Sequence, residues 1–391
     1  MQSPFPVPIR FVLPLVLLVA GLVLTPPLAA KKGEDEVDYL ALATLLTRDG
    51  EYARAEEALA QVDVADEALD RGQYHTVRGL IALERSRHSE AADAFAEAIA
   101  AGQNDPLIHL YRAQAYFAIE RYGDALAALD AAGEGVAALS GAWLMRGHAY
   151  WMLGRRQETF DTLSRASERF PGNHGFLRRQ VFYLIDAGLN REAAELGRTY
   201  LRRAEGKAED YVAIGTALRR SGDTQAALVF LEEAGMRFPE DVSIPKALAQ
   251  TWLEADAPMA AAEILARAAV AEPALYAETA ELLRRAGQPT RALRANALVP
   301  EPERRLKQRV GLLLELRRYD QVAAMEEALY RAGLLADEDV RYALAYAHYR
   351  DGDHQAAERH LQALTRPELF RKATELRRLM SECGDARWTC S

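Results

Sequence analysis

The chain has 391 residues, half of them apolar, with a formal net charge of −9 and a pI near 5.6. An acidic balance excludes nucleic acid as the main partner, because neutralising phosphates needs a basic face. Abundant alanine, sparse β-branched residues and turns written "DG", "AG" and "SG" favour helices joined by short turns.

The N-terminus stands apart from the rest. Arg10 precedes the apolar run "FVLPLVLLVAGLVL", Phe11 to Leu24, and small residues follow at Ala29 and Ala30. This is the layout of a secretory signal over residues 1–30, cut after Ala30. Leu28 and the pair Lys31 and Lys32 fit such a cut imperfectly, so a second reading keeps the segment as an anchor. Phe11 to Ala30 is about long enough to span a bilayer, with Pro14 as a kink. In both readings the chain from residue 31 is exported to the periplasm or cell envelope. It meets a membrane only through residues 11–30, if these are retained in the inner membrane. Residues 31–36 read as a short charged linker.

From residue 37 a repeat organises the chain. A small residue recurs at Ala55, Ala91, Ala125, Thr159, Ala193, Ala227, Ala261, Ala292, Val322 and Ala357, at intervals of 36, 34, 34, 34, 34, 34, 31, 30 and 35. Twelve residues before each stands another short residue: Ala43, Gly79, Ala113, Gly147, Val181, Gly215, Ala249, Ala280, Val310 and Ala345. Rings often precede this second set by four, at Tyr39, Trp143, Tyr211 and Tyr276. Large groups follow it by three, at Leu46, Tyr116, Tyr150, Leu218, Trp252 and Leu283. Steps of three and four share one helix face, so the spacing predicts paired helices nested at the small residues. Gly147, in "WLMRGHAYWMLG", is therefore a packing glycine rather than part of a ligand loop. Gly50, Gly154, Gly188, Gly222, Gly287 and Gly352 fall between paired helices as left-handed C-caps. Pro171, Pro239 and Pro273 stop second helices, and Pro300 and Pro302 are expected to break that of the eighth unit.

Residues 368–391 follow the repeats. "ELFRKATELRRLMSEC" sets Leu369, Phe370, Ala373, Leu376 and Leu379 opposite a row of Arg and Lys, as a helix capping the last exposed face would. A separate docking element is the alternative. The only cysteines, Cys383 and Cys390, are close enough to form a small disulfide ring in an oxidising compartment.

The pattern resembles the tetratricopeptide repeat (TPR). The fourth unit carries it through Trp143, Gly147, Tyr150, Leu163, Ala166 and Pro171. The sixth carries it through Tyr211, Ile214, Gly215, Leu218, Ala227, Leu231, Ala234 and Pro239. The resemblance covers about residues 37–367. It implies an all-α, right-handed superhelical solenoid of about ten helix-turn-helix repeats, followed by the capping helix.

It also implies that the first helices line a concave groove. Projected onto this chain, the groove takes Leu80, Leu83, Leu110, Phe117, Leu144, His148, Trp151, Phe182 and Ile185 from units two to five. Units six to nine give Arg219, Arg220, Lys246, Arg284, Arg285, Arg304 and Lys307, and the last unit gives Tyr342, Tyr346 and Tyr349. Exposed apolar groups, aromatics and arginines are the chemistry of protein interfaces. The arginine run could receive carboxylates or remain a solvated face. At the positions where chaperone-tail-binding members carry a Lys and Asn clamp stand Thr44, Leu80, Gln114, His148, Phe182 and Thr216, which argues against that subtype.

Catalytic motifs are missing: no GxSxG, HExxH, phosphate-binding GxxxxGK[ST] or GxGxxG follows the required elements. His354 and His360 are six apart, on different helix faces, and point to no shared metal. The expectation is a non-enzymatic scaffold or adaptor of the bacterial cell envelope, without cofactor or metal, holding a segment of a partner protein. The alternatives are an accessory module of an envelope polysaccharide or secretion system that stacks sugars on groove aromatics, and a purely structural spacer.

Overall fold

The computed structural model describes residues 37–382, which are helical apart from turns and short 3₁₀ segments. Cys383, Cys390 and the N-terminal segment 1–36 lie outside the described residues. The described chain forms two compact units, 37–180 and 181–382.

In the first unit the hairpins are α1 (Tyr39–Arg48) with α2 (Tyr52–Leu59), α3 (Arg71–Glu84) with α4 (His88–Ala100), α5 (Pro106–Ala118) with α6 (Tyr122–Ala132), and α7 (Ser140–Met152) with α8 (Arg156–Arg169). Helix α9 (Gly175–Asp186) carries the chain across the unit boundary. The second unit continues with α10 (Asn190–Arg203), then α11 (Ala208–Arg220) with α12 (Thr224–Arg237), α13 (Ser243–Glu254) with α14 (Pro258–Ala268), and α15 (Tyr276–Arg285) with α16 (Pro289–Asn296). Next come α17 (Pro302–Glu315) with α18 (Tyr319–Ala323), α19 (Glu326–Arg331), α20 (Glu338–Asp351) with α21 (His354–Gln362), and α22 (Pro367–Glu382).

Local chemistry starts these helices. The side chains of Asp38, Asp70, Asp105, Asp223, Asp337 and Asp353 each accept a hydrogen bond from a backbone N–H of the first turn, and thus cap α1, α3, α5, α12, α20 and α21.

The periodic small residues do what their spacing predicts. All ten second-helix positions, from Ala55 to Ala357 and including Thr159 and Val322, are 0% exposed. The glycines show why size is restricted. A Cβ on Gly79 would stand 2.6 Å from Phe95, one on Gly147 2.8 Å from Leu163, and one on Gly215 2.5 Å from Leu231. In each case the large side chain lies sixteen residues on, in the second helix of the same hairpin. It fills the space that glycine leaves. Burying each such side chain is worth about 1.5–3 kcal/mol.

Each hairpin turn holds one residue in the left-handed region. Gly50, Gly154, Gly188, Gly222, Gly287 and Gly352 have positive φ, as the sequence predicts. In the other four turns the equivalent place is taken by Ser86, Glu120, Asp256 and Arg317, with φ of 59°, 61°, 55° and 56°.

The eighth unit differs from expectation. Pro300 and Pro302 break no helix: α16 ends earlier, at Asn296, and Pro302 opens α17, where a missing N–H is harmless. A second helix of only 8 residues explains the shortened interval. Its end is fastened by polar bonds. Asn296 is fully buried, and its Nδ2 donates to the Arg305 carbonyl at 3.0 Å and to Gln308 Oε1 at 3.1 Å. Gln308 Nε2 donates in turn to the Ala277 carbonyl at 2.8 Å, which ties α17 to α15.

Candidate functional site

The projected groove residues are not an open apolar wall. Leu83 and Leu110 are buried, in a core cluster with Phe95 and Ile108. Trp151 is only 7% exposed. The Arg156 guanidinium lies over its ring, 3.4 Å from the centroid, and Phe160 meets it edge-on at 6.4 Å. His148 is buried beside Phe117, with ring centroids 5.4 Å apart, and Tyr122 at 6.2 Å. Burial first, and then the Arg179 charge, push the His148 pKa down to about 4, so the ring is neutral at physiological pH. What remains half-buried is Leu80 on α3, Phe117 on α5 and Leu144 on α7 in the first unit, together with Phe182 and Ile185 on α9. Ile185 packs against the cluster of Ala193, Ala194 and Leu218. Packing within each unit has consumed much of the wall that the projection left open.

The cations are engaged as well. Arg219, its side chain largely buried, pairs with Glu254, and Lys246 Nζ lies 2.8 Å from Glu272. Arg284 pairs with Glu281 at 2.8 Å and Glu315 at 3.3 Å, and Lys307 with Asp337. Glu254 and Glu315 lie in a following helix, and Glu272 and Asp337 in the segments that lead into the next elements, so these cations bridge successive elements of the second unit. The Arg284 hydrogen bond holds Glu281 below the usual carboxylate pKa. Arg220, Arg285 and Arg304 lie on the same helices, exposed.

The tyrosine stripe on α20 is half-buried. Tyr342, Tyr346 and Tyr349 pack against the cluster formed by Leu361, Leu364 and the α22 residues Leu369, Ala373 and Leu376. Tyr346 meets Tyr319 edge-on at 5.8 Å, and its hydroxyl accepts from Arg350 Nη1 at 3.2 Å. Lys372 Nζ on α22 stands 5.8 Å from the Tyr342 ring. These half-buried rings pack first against the last hairpin and α22.

One cluster escaped the sequence reading: Glu326, His348 and His360 converge in the second unit. In the sequence His360 stands nearest to His354, on its own helix. Its real neighbour, His348, lies twelve residues earlier, the same step that separates Ala345 from Ala357. The repeat register therefore carried the signal.

Hairpins at intervals of 30 to 36 residues, most of them 34, nested at short buried side chains that are glycine or alanine in most units, decide the architecture. The fold is of the tetratricopeptide type. No family model and no curated protein matches the chain. Among solved structures, the C-terminal part of a TPR repeat-containing protein from Cytophaga hutchinsonii is 15% identical, with a TM-score of 0.49, covering 56% of this chain and 92% of its own. PilW, a widely conserved type IV pilus biogenesis factor, is 18% identical, with a TM-score of 0.42, covering 54% and 96%. YrrB, a TPR protein with an unusual peptide-binding site, is 20% identical, with a TM-score of 0.37, covering 47% and 94%.

Proposed function

We propose that this TPR-type chain is an exported, non-enzymatic scaffold of the bacterial cell envelope that holds a segment of another protein against its first helices. The observation that carries this reading is what the first unit leaves over once its core is filled. Leu80, Phe117 and Leu144, on three successive first helices, stay half-buried at positions that the repeat projects onto one wall. Partly exposed apolar groups spaced along successive helices suit a peptide or helix laid across them better than a small molecule. The envelope setting rests on the apolar run and small residues of segment 1–30.

A photo-crosslinking amino acid at Leu80 or Leu144, compared with one at the highly exposed Met236 on second helix α12, tests the binding face in the native envelope. A discrete protein adduct from the first two positions and none from the third supports the proposal. No adduct, or the same adduct from Met236, overturns it. Mass measurement of the exported chain tests the setting: a start after Ala30 indicates cleavage, full length in the membrane fraction indicates an anchor, and a cytoplasmic chain defeats the envelope assignment.

A further inference from the structure

Three side chains capable of binding a metal meet in the second unit. Glu326 opens α19, His348 lies in the last turn of α20, and His360 lies in the last turn of α21. His348 Nε2 stands 3.1 Å from Glu326 Oε2, and His360 Nε2 stands 3.1 Å from Oε1 of the same carboxylate. The imidazole planes are nearly parallel, 12° apart, with centroids 5.6 Å from each other. Both rings are buried and Glu326 is half-buried. The hairpin sets the rings abreast, because their twelve-residue separation repeats the step between the nested Ala345 and Ala357.

We propose that Glu326, His348 and His360 form a binding site for a zinc-class divalent transition ion, with a further coordination position open to the adjoining cleft. The three donor atoms lie within 4.8 Å of one another. Donors on a tetrahedral ion at about 2.1 Å stand about 3.4 Å apart, against the 4.8 Å that spans the set here, so a bound ion draws them inward slightly. Two neutral imidazole nitrogens and one carboxylate oxygen suit zinc, cobalt, nickel or copper. Magnesium and calcium prefer all-oxygen shells. Three protein ligands leave a fourth position. A cleft of about 380 Å³ opens beside it, lined by Glu326, His360, Tyr330 and Arg341 among others. Arg341 is held there by donating Nε–H to the Leu335 carbonyl at 2.7 Å. Its cation disfavours a naked dication and favours an anionic fourth ligand, such as a carboxylate or hydroxide. The site draws on α19, α20 and α21, so a bound ion clamps the last hairpin to the helix before it.

The test titrates Co²⁺, followed by its visible d–d absorption, into the full exported chain without an affinity tag. The titration is run on the wild type and on a Cys383→Ser, Cys390→Ser background, which keeps thiolates out of the measurement. One equivalent is expected to bind in both, with a tetrahedral spectrum. His360→Gln and Glu326→Gln are expected to weaken binding by about tenfold or more, since losing even an outer-shell partner costs 10–100-fold. His354→Gln, outside the cluster, is expected to leave it unchanged. A folded wild type that takes up no cobalt overturns the proposal, as does binding that survives both ligand substitutions. Should His360→Gln fail to fold, Glu326→Gln, at a half-exposed position, decides together with the wild-type titration.

Discussion

Leu163 sits directly over Gly147, so that a methyl group added to the glycine would lie 2.8 Å from its Cδ2. Leu163 is fully buried on the second helix of the hairpin and cannot move outward without opening the core. Gly147→Ala is therefore expected to destabilise the chain by about 1–3 kcal/mol. Leu163→Ala alone costs about 2–5 kcal/mol by creating a cavity. The double variant should be more stable than the sum of the two losses, because each change relieves the other. Urea unfolding of the four proteins measures this coupling; strictly additive losses would sink the account.

The turns make a second prediction, with opposite signs at equivalent places. Arg317 holds φ at 56°, which costs an L-residue roughly 1–2 kcal/mol. Arg317→Gly removes that cost, gives part of it back through the freer unfolded chain, and should stabilise by about 0.5–1 kcal/mol. Gly154 has φ of 74°, and a Cβ there would touch nothing within 4 Å. Gly154→Ala should then cost about 1 kcal/mol from backbone strain alone. Thermal unfolding midpoints moving in opposite directions confirm the pair, and a destabilised Arg317→Gly refutes it.

His148 supplies a pH dependence. Its pKa is depressed to about 4 in the fold, while an unfolded histidine titrates near 6.5. Between these values the unfolded chain holds the extra proton, so stability falls as the pH drops from about 6.5 to about 4 and is flat below. The full effect is up to about 3 kcal/mol. His148→Gln has no such proton to gain. The difference in unfolding free energy between wild type and variant should shift by that amount across the window, and equal slopes for the two proteins would contradict it.

Asn296 provides a fourth test. Its side-chain amide is the junction at which α16 meets α17, bonded to Arg305 and Gln308. Asn296→Ala removes both bonds at a part-buried junction, leaves Gln308 Oε1 without this donor, and should cost about 1–3 kcal/mol. Hydrogen exchange should quicken first in α16 and α17. Loss of protection spread evenly over the second unit would argue against a local junction.

Much of the fold was readable because one requirement repeats: a short side chain wherever two helices nest. Ala43, Gly147 and Ala227 obey it irrespective of what lies elsewhere. The candidate site was less readable because its burial depends on neighbours outside the period. Nothing in the spacing of Trp151 announces that Arg156 will lie over its ring. The cations Arg219, Lys246 and Lys307 find carboxylates 35, 26 and 30 residues on, at separations set by how helices pack rather than by local pattern. Glu326 was equally hidden, since α18 and α19 replace a single second helix and shift its register. Cys383 and Cys390 lie outside the described residues, and their pairing remains an expectation of the compartment.

Helix α22 covers the apolar side of the last hairpin. Leu369, Ala373 and Leu376 pack on the last hairpin, while Arg371 and Arg378 are exposed, as is the ring of Phe370. A protein cut before Pro367 would bare the tyrosines of α20 to water, and is expected to self-associate through that apolar face.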